Sequence, residues 1–175
     1  MNRQLLFAMM LGCAALAAPL SLRAAEATPA TAEGIVGDSE FLRRAHAVTT
    51  AQLKLSELAR VQGVDSEVRN LAERMLGDNN RNYDQLLALA KAKGVDLPTA
   101  LEGSYQLQLD DLKNKTGTDF DRAFVDASRS NHAAMLGLFQ TTARTANDPE
   151  IRKFAAERAS SVQAYLDRAE QLQRR

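Results

Sequence analysis

Two histidines, a scatter of carboxylates and a set of inward-placed amides define the chemistry open to this 175-residue chain. A carboxylate-bridged di-metal centre in a helical bundle needs Glu from two helices and a Glu-x-x-His pair from two others, all projecting inward. No Glu-x-x-His occurs, and His46 and His132 are the only histidines. At about 100° per residue, Glu57, Glu73 and Glu157 fall about 120–160° from the centres of their helices' apolar stripes, so they are expected to face solvent. The polar residues near the stripe centres are Gln52, Asn79, Asn82 and Asn131, with no Asp or Glu among them. A di-metal site of the usual kind is therefore not expected. The metal-ligand candidates reduce to His132, and one imidazole does not hold a metal alone.

His132 lies to one side of the main stripe of its helix, on a second apolar line with Val125, Leu136 and Phe139. The simpler reading is a histidine packed under a short neighbouring helix and hydrogen-bonded through one ring nitrogen; the other is a ligand. His46, beside Leu42 and Leu53, is expected to be partly exposed. Burying an unpaired amide costs about 1–3 kcal/mol, so the four amides should pair with one another, with Arg158, or with water. Arg158 sits near the centre of the last helix's stripe, between Phe154-Ala155 and Val162, and is expected to take an Asn or Gln carbonyl or to snorkel outward. Such a polar layer either fixes helix register, as a buried Asn does in coiled coils, or lines a small cavity for a ligand. Ser39, Ser128 and Ser130 have no His–carboxylate context, and the chain has no phosphate loop, zinc-finger spacing or dinucleotide fingerprint. No catalytic residue and no cofactor is assigned.

The elements that must position these residues are helices. Apolar residues recur at three- and four-residue spacing over about 39–62 (Phe41, Ala45, Val48, Leu55, Ala59), after Asp38 or Ser39 as N-cap and before Gly63. A second helix is expected over about 66–93, capped by Asp65 and stopped by Gly94. Pro98 turns Leu97 away from helical geometry, and Thr99 with Glu102 forms a capping box for a shorter helix over about 100–115. A fourth runs over about 119–145, with Asp119 and Asp121 at its positive end. The last begins at Asp148-Pro149, with the Asp as N-cap and the Pro at the first helical position. No strong internal repeat stands out.

The chain opens with Arg3, then an apolar run over 5–22, then Ala24, Ala25 and Ala27. This reads as a signal peptide over 1–25, cleaved near Ala25 or Ala27, followed by a flexible leader over 26–37 and a helical domain over 38–175. Removing Arg3 and Arg23 leaves two fewer basic than acidic residues. A near-neutral surface of this kind gives no basic face for nucleic acid, and no membrane span is expected once the signal is cleaved. The only cysteine, Cys13, lies in the signal, so the mature domain has no disulfide or thiol chemistry. With no Trp and few aromatics, a stacking platform for carbohydrate or bases has little to build on.

From about Ser39 to Ala169 the chain resembles the bacterial family called domain of unknown function 4142. The matching landmarks are Phe41, Leu55 to Ala59, Met75 to Asp78, and Lys93-Gly-Val-Asp-Leu-Pro98. They continue with Gly117, Phe120-Asp121, His132 with Leu138-Phe139, and Asp148-Pro-Glu-Ile-Arg-Lys-Phe-Ala155. The resemblance implies an exported helical protein of ferritin-like fold, often labelled a putative outer-membrane protein, without an established activity. Against that pattern, Gln52 stands where Glu is frequent and Asn79 where His is typical. Tyr105 and Tyr165 stand where histidines are found in the third and last helices, and Asn131 where an acid precedes the retained His132. If the family's histidines and acids bind metal, this chain resembles a member that has lost the site.

The expected fold is therefore all-α: an up-down four-helix bundle, ferritin-like, with one additional short helix between bundle helices two and three, packed across one end. The polar-core candidates are Gln52, Asn79, Asn82, Asn131, His132, Arg158 and Tyr165. The expected role is that of a non-enzymatic periplasmic or envelope protein: structural, stress-related or partner-binding, with a protein or small-molecule partner the sequence does not name. The alternatives are a ferritin-like metal-binding protein or oxidoreductase whose usual site is largely lost, and a small-ligand carrier using the polar core. Oligomeric state is left open.

Overall fold

A computed structural model describes residues 37–101 and 103–175. The signal, nearly all of the leader, Cys13 and the Glu102 half of the proposed capping box lie outside the described residues. The described chain is all-helical, with no strand among the described residues. Its helices are α1 (Asp38–Gln62), α2 (Ser66–Ala92), α3 (Gly103–Lys113), α4 (Gly117–Thr145) and α5 (Pro149–Gln173). Each apolar stripe read from the sequence is the buried face of its helix. Burying such faces supplies most of the stability of helices this long.

The helix starts at α2 and α5 are as the sequence indicates. Asp65 accepts from Glu67 N, Asp148 accepts from Glu150 N and Ile151 N, and Pro149 occupies the first turn of α5. Gly94, with φ +65°, adopts the left-handed conformation that ends α2. The start of α1 differs from the expectation. Its N-cap is Gly37, with no side-chain cap, and Asp38 lies inside the helix. The Asp38 carboxylate reaches instead to the α4–α5 turn, accepting from Asn147 N at 3.1 Å and Asp148 N at 2.9 Å.

A matching arrangement closes the opposite end. Asp121 accepts from Val64 N at 3.1 Å and Asp65 N at 2.7 Å in the α1–α2 turn. Arg69 donates to Gly63 O and Val64 O, and Arg152 donates to Ala146 O and Asn147 O. These pairs keep one offset of 83 residues: 38 to 121, 65 to 148, 69 to 152. At that offset Asp65-Ser-Glu-Val-Arg-Asn-Leu-Ala72 aligns with Asp148-Pro-Glu-Ile-Arg-Lys-Phe-Ala155. The molecule is thus two helical hairpins, α1–α2 and α4–α5, built on one repeated pattern that the sequence reading missed.

The end contacts fix the helix directions. The end of α1 meets the start of α4, and the start of α1 meets the end of α4, so the two are antiparallel. Lys93, just past α2, is paired with Asp148 at 2.7 Å and with Glu150 at the start of α5, so α2 and α5 are antiparallel too. The two hairpins are up-down, but α2 and α4 run in the same direction because the segment holding α3 carries the chain back along the bundle. Nor does α3 pack across one end. Tyr105 packs on one core cluster, Leu109 and Leu112 on the other, and the helix lies lengthwise against α1 and α4.

The apolar core falls into two clusters. Phe41, Leu42, Leu86, Phe139 and Phe154 centre one, where Phe41 packs edge-on to Phe139 with ring centroids 5.3 Å apart. Leu55, Leu71, Met75, Phe120 and Phe124 centre the other. Gln52, Asn79, Ser128 and His132 are buried between them in sequence, near the middle of α1, α2 and α4.

Candidate functional site: the polar layer of the bundle

His132 is the centre of this layer and is 1% exposed. Its Nδ1 lies 2.7 Å from Ser128 O, one turn back on α4, and 3.2 Å from the Gln52 amide of α1. The shorter contact is to a carbonyl, which only accepts, so Nδ1 carries the proton and donates to Ser128 O. The Gln52 amide then fits best with its oxygen toward that N–H, which leaves its Nε2 at the buried position without a partner. Burial pushes the His132 pKa down to about 4, opposed by the Ser128 hydrogen bond, so the imidazole is neutral at pH 7. Ser128 also donates its hydroxyl to Met75 Sδ at 3.7 Å.

On the α2–α5 side the polar groups pair across the two helices. Arg158 NH1 donates to Asn82 Oδ1, and Tyr165 Oη donates to the Asp78 carboxylate. The Tyr165 ring lies 5.6 Å from the His132 ring. Burial, then the Asp78 hydrogen bond, pushes the Tyr165 hydroxyl pKa well up. Asn79 is buried, and its Nδ2 has no partner; Arg158 Nε is likewise buried without one. A cavity of about 20 Å³ lies among Thr49, Asn79, His132, Arg158 and Tyr165, just above the ~10–15 Å³ that one water-sized particle needs.

Four readings from the sequence are corrected here. Asn131 is buried but belongs to another place: its Nδ2 donates to Gln108 Oε1 at 2.8 Å, tying α4 to α3. His132 accordingly faces the bundle interior, not the underside of α3. His46 is buried rather than partly exposed; its ring stacks on Tyr83 at 5.3 Å, and Nε2 meets the Tyr83 hydroxyl at 2.9 Å. Desolvation lowers the His46 pKa. One carboxylate is buried after all. Asp121 is 7% exposed, but it serves the α1–α2 turn at the end of the bundle and not the layer.

The polar-core candidates read from the sequence did not include Asp78, Tyr83 or Ser128. The 83-residue offset was a signal for part of this layer: it pairs Thr49 with His132, Asn82 with Tyr165, and Met75 with Arg158.

These residues do not fit a metal ion of the carboxylate-bridged kind. Glu57, Glu73 and Glu157 are exposed, and Asp126 turns outward to Gln173. Among the described residues no three His, Cys, Asp or Glu side chains come together as a ligand set. The layer has a guanidinium, held by the neutral Asn82 amide, where a cation would need acids. A carrier site spanning Asn79 and Asn131 is not formed either, since the two line different places. A hollow of about 710 Å³ lies at the end of the bundle among Val64, Val68, Asp121, Val125 and Leu172. Asp121, its buried carboxylate, is already engaged with the turn. No described helix is long and apolar enough to cross a membrane.

Among solved structures the chain is similar to a DUF305 fragment from Deinococcus radiodurans, with a TM-score of 0.69 and 12% identity over 78% of this chain and 94% of that one. It is also similar to CopM in the Cu(II)-bound form, with a TM-score of 0.68 and 16% identity over 79% of this chain and 97% of that one. CopM in the Cu(I)-bound form gives 0.68 and 17% identity over 79% and 96% of the two chains. At these identities the likeness is one of fold. No curated protein sequence matches the chain. The family model for the domain of unknown function DUF4142 matches residues 21–172, which takes in both hairpins and the polar layer between them, and the chain belongs to that family.

Proposed function

We propose that this protein is an exported, envelope-located helical bundle with a structural or partner-binding role rather than a catalytic one. Export is supported by the apolar run over 5–22 and the alanines that follow it. The observation that carries the non-catalytic reading is the polar layer, whose strongest groups are tied to one another. His132 is held by Ser128 and Gln52, Arg158 by Asn82, and Tyr165 by Asp78. Register-fixing is what such a layer does when its groups satisfy each other across helices.

A second reading, copper binding, is favoured by the fold shared with CopM in its Cu(II)- and Cu(I)-bound forms. His132 and Met135 line the same small cavity, and a neutral imidazole with a thioether suits Cu(I). Arg158 in that lining opposes any cation. Competition titrations of Cu(I), Cu(II), Zn, Fe and Mn, with elemental analysis of the purified protein and of His132→Ala, separate the two. The structural reading requires that no metal bind stoichiometrically at the layer. Tight one-to-one binding that disappears in His132→Ala would replace it with the metal reading.

A further inference from the structure

The cavity in the polar layer holds donors that nothing accepts from. Asn79, 5% exposed, lines it with Nδ2 buried and unpartnered, and Arg158 lines it with Nε buried and unpartnered. No side chain among the described residues accepts from Asn79 Nδ2 or Arg158 Nε, and Asn82 Oδ1 already takes Arg158 NH1. Ser161 and Tyr165 turn their hydroxyl protons elsewhere, to Arg158 O and to Asp78.

No Asp or Glu lines the cavity. Asp78, the nearest acid by connectivity, is engaged by Tyr165 and Arg81. No carboxylate among the described residues forms an ion pair with Arg158. A part-buried guanidinium left with one neutral acceptor and a free N–H leaves positive charge uncompensated in a low-dielectric setting. Packing alone does not explain the charge, because the equivalent position of the first hairpin is Met75.

We propose that this cavity binds one small monatomic anion, a halide such as chloride, between Arg158 and Asn79. Size selects the class: about 20 Å³ admits a single water-sized particle and excludes sulfate, phosphate and carboxylates. Charge selects the sign, since Arg158 repels cations. The apolar remainder of the wall, Met135, Phe139, Phe154 and Val162, suits a weakly hydrated ion better than a strongly hydrated one. His132 is neutral and keeps its Nδ1 proton on Ser128, so its Nε2 presents a lone pair that repels an anion, and the ion belongs at the Arg158–Asn79 side of the cavity. The site is independent of the structural role proposed above.

Crystals soaked in sodium bromide, with data collected at the bromine edge, test this directly. The expected result is one anomalous peak in the cavity beside Arg158 and Asn79. In solution, chlorine-35 line broadening should exceed that of protein-free buffer, be competed by bromide, and fall to the buffer level in Arg158→Met. That variant carries the residue type of the equivalent position, and Arg158→Lys, which keeps the charge, should retain part of the broadening. A cavity with no bromine peak, filled by water alone, overturns the proposal, as does broadening that Arg158→Met leaves unchanged.

Discussion

Asp38 and Asp121 hold each other's hairpin closed. Asp38, in the first turn of α1, accepts two backbone N–H groups of the α4–α5 turn, and Asp121, near the start of α4, accepts two of the α1–α2 turn. The two contacts lie at opposite ends of the bundle and make each hairpin the cap of the other. Their equivalence under the 83-residue offset explains why the hairpins pack antiparallel through α1 and α4.

Removing either carboxylate should destabilise the protein, and Asp121 should matter more. A charged acceptor with two backbone donors contributes about 1.5–3 kcal/mol per bond pair lost when the donors are left buried. Asp121 is the buried one of the two. Urea denaturation of Asp121→Ala should show a loss of about 2–3 kcal/mol, and Asp38→Ala about 1 kcal/mol, nearer the value of an ordinary cap. Equal losses would show that burial does not distinguish the two turns.

Acid should weaken the fold before the carboxylates titrate, through His132. Its folded pKa of about 4 lies below the ordinary value near 6.5. Between those values the unfolded chain binds the proton and the folded chain does not, so stability is full above about pH 6.5 and falls as pH drops toward 4. The span corresponds to at most about 3 kcal/mol, and His46, lowered in the same direction, adds to the slope. Denaturation midpoints at pH 7.5 and 5.0 should differ clearly for the native sequence and less for His132→Gln. An unchanged slope in His132→Gln would assign the effect elsewhere.

Asn82→Ala should cost more than Asn82 alone is worth, because it leaves Arg158 without its acceptor. The expected loss is about 1–3 kcal/mol. In the Arg158→Met background the same substitution should cost less, and the double-mutant cycle reads the coupling directly.

Tyr165 should titrate late. The chain has three tyrosines, and burial plus the Asp78 carboxylate raises the Tyr165 hydroxyl well above the ordinary value near 10. Ultraviolet titration of the folded protein should show a tyrosinate step displaced well above the ordinary value. Tyr165→Phe should remove that late step and cost about 1–2 kcal/mol.

The sequence by itself determined the helices, their buried stripes and the starts of α2 and α5. Helical periodicity and capping act over three or four residues, so Asp65, Asp148 and Pro149 declare their roles locally. It also marked Gln52 and Asn79 as inward-facing, for the same reason. What only the tertiary structure decided is which polar group meets which. Gln52 finds His132, Asn82 finds Arg158 and Asp78 finds Tyr165 between different helices. His46 is buried because Tyr83 of α2 covers it, and Asn131 leaves the layer because Gln108 of α3 takes its amide. Asp121 is buried because another hairpin's turn needs its carboxylate. These pairings depend on helix rotation and crossing in three dimensions, which a one-dimensional pattern does not encode.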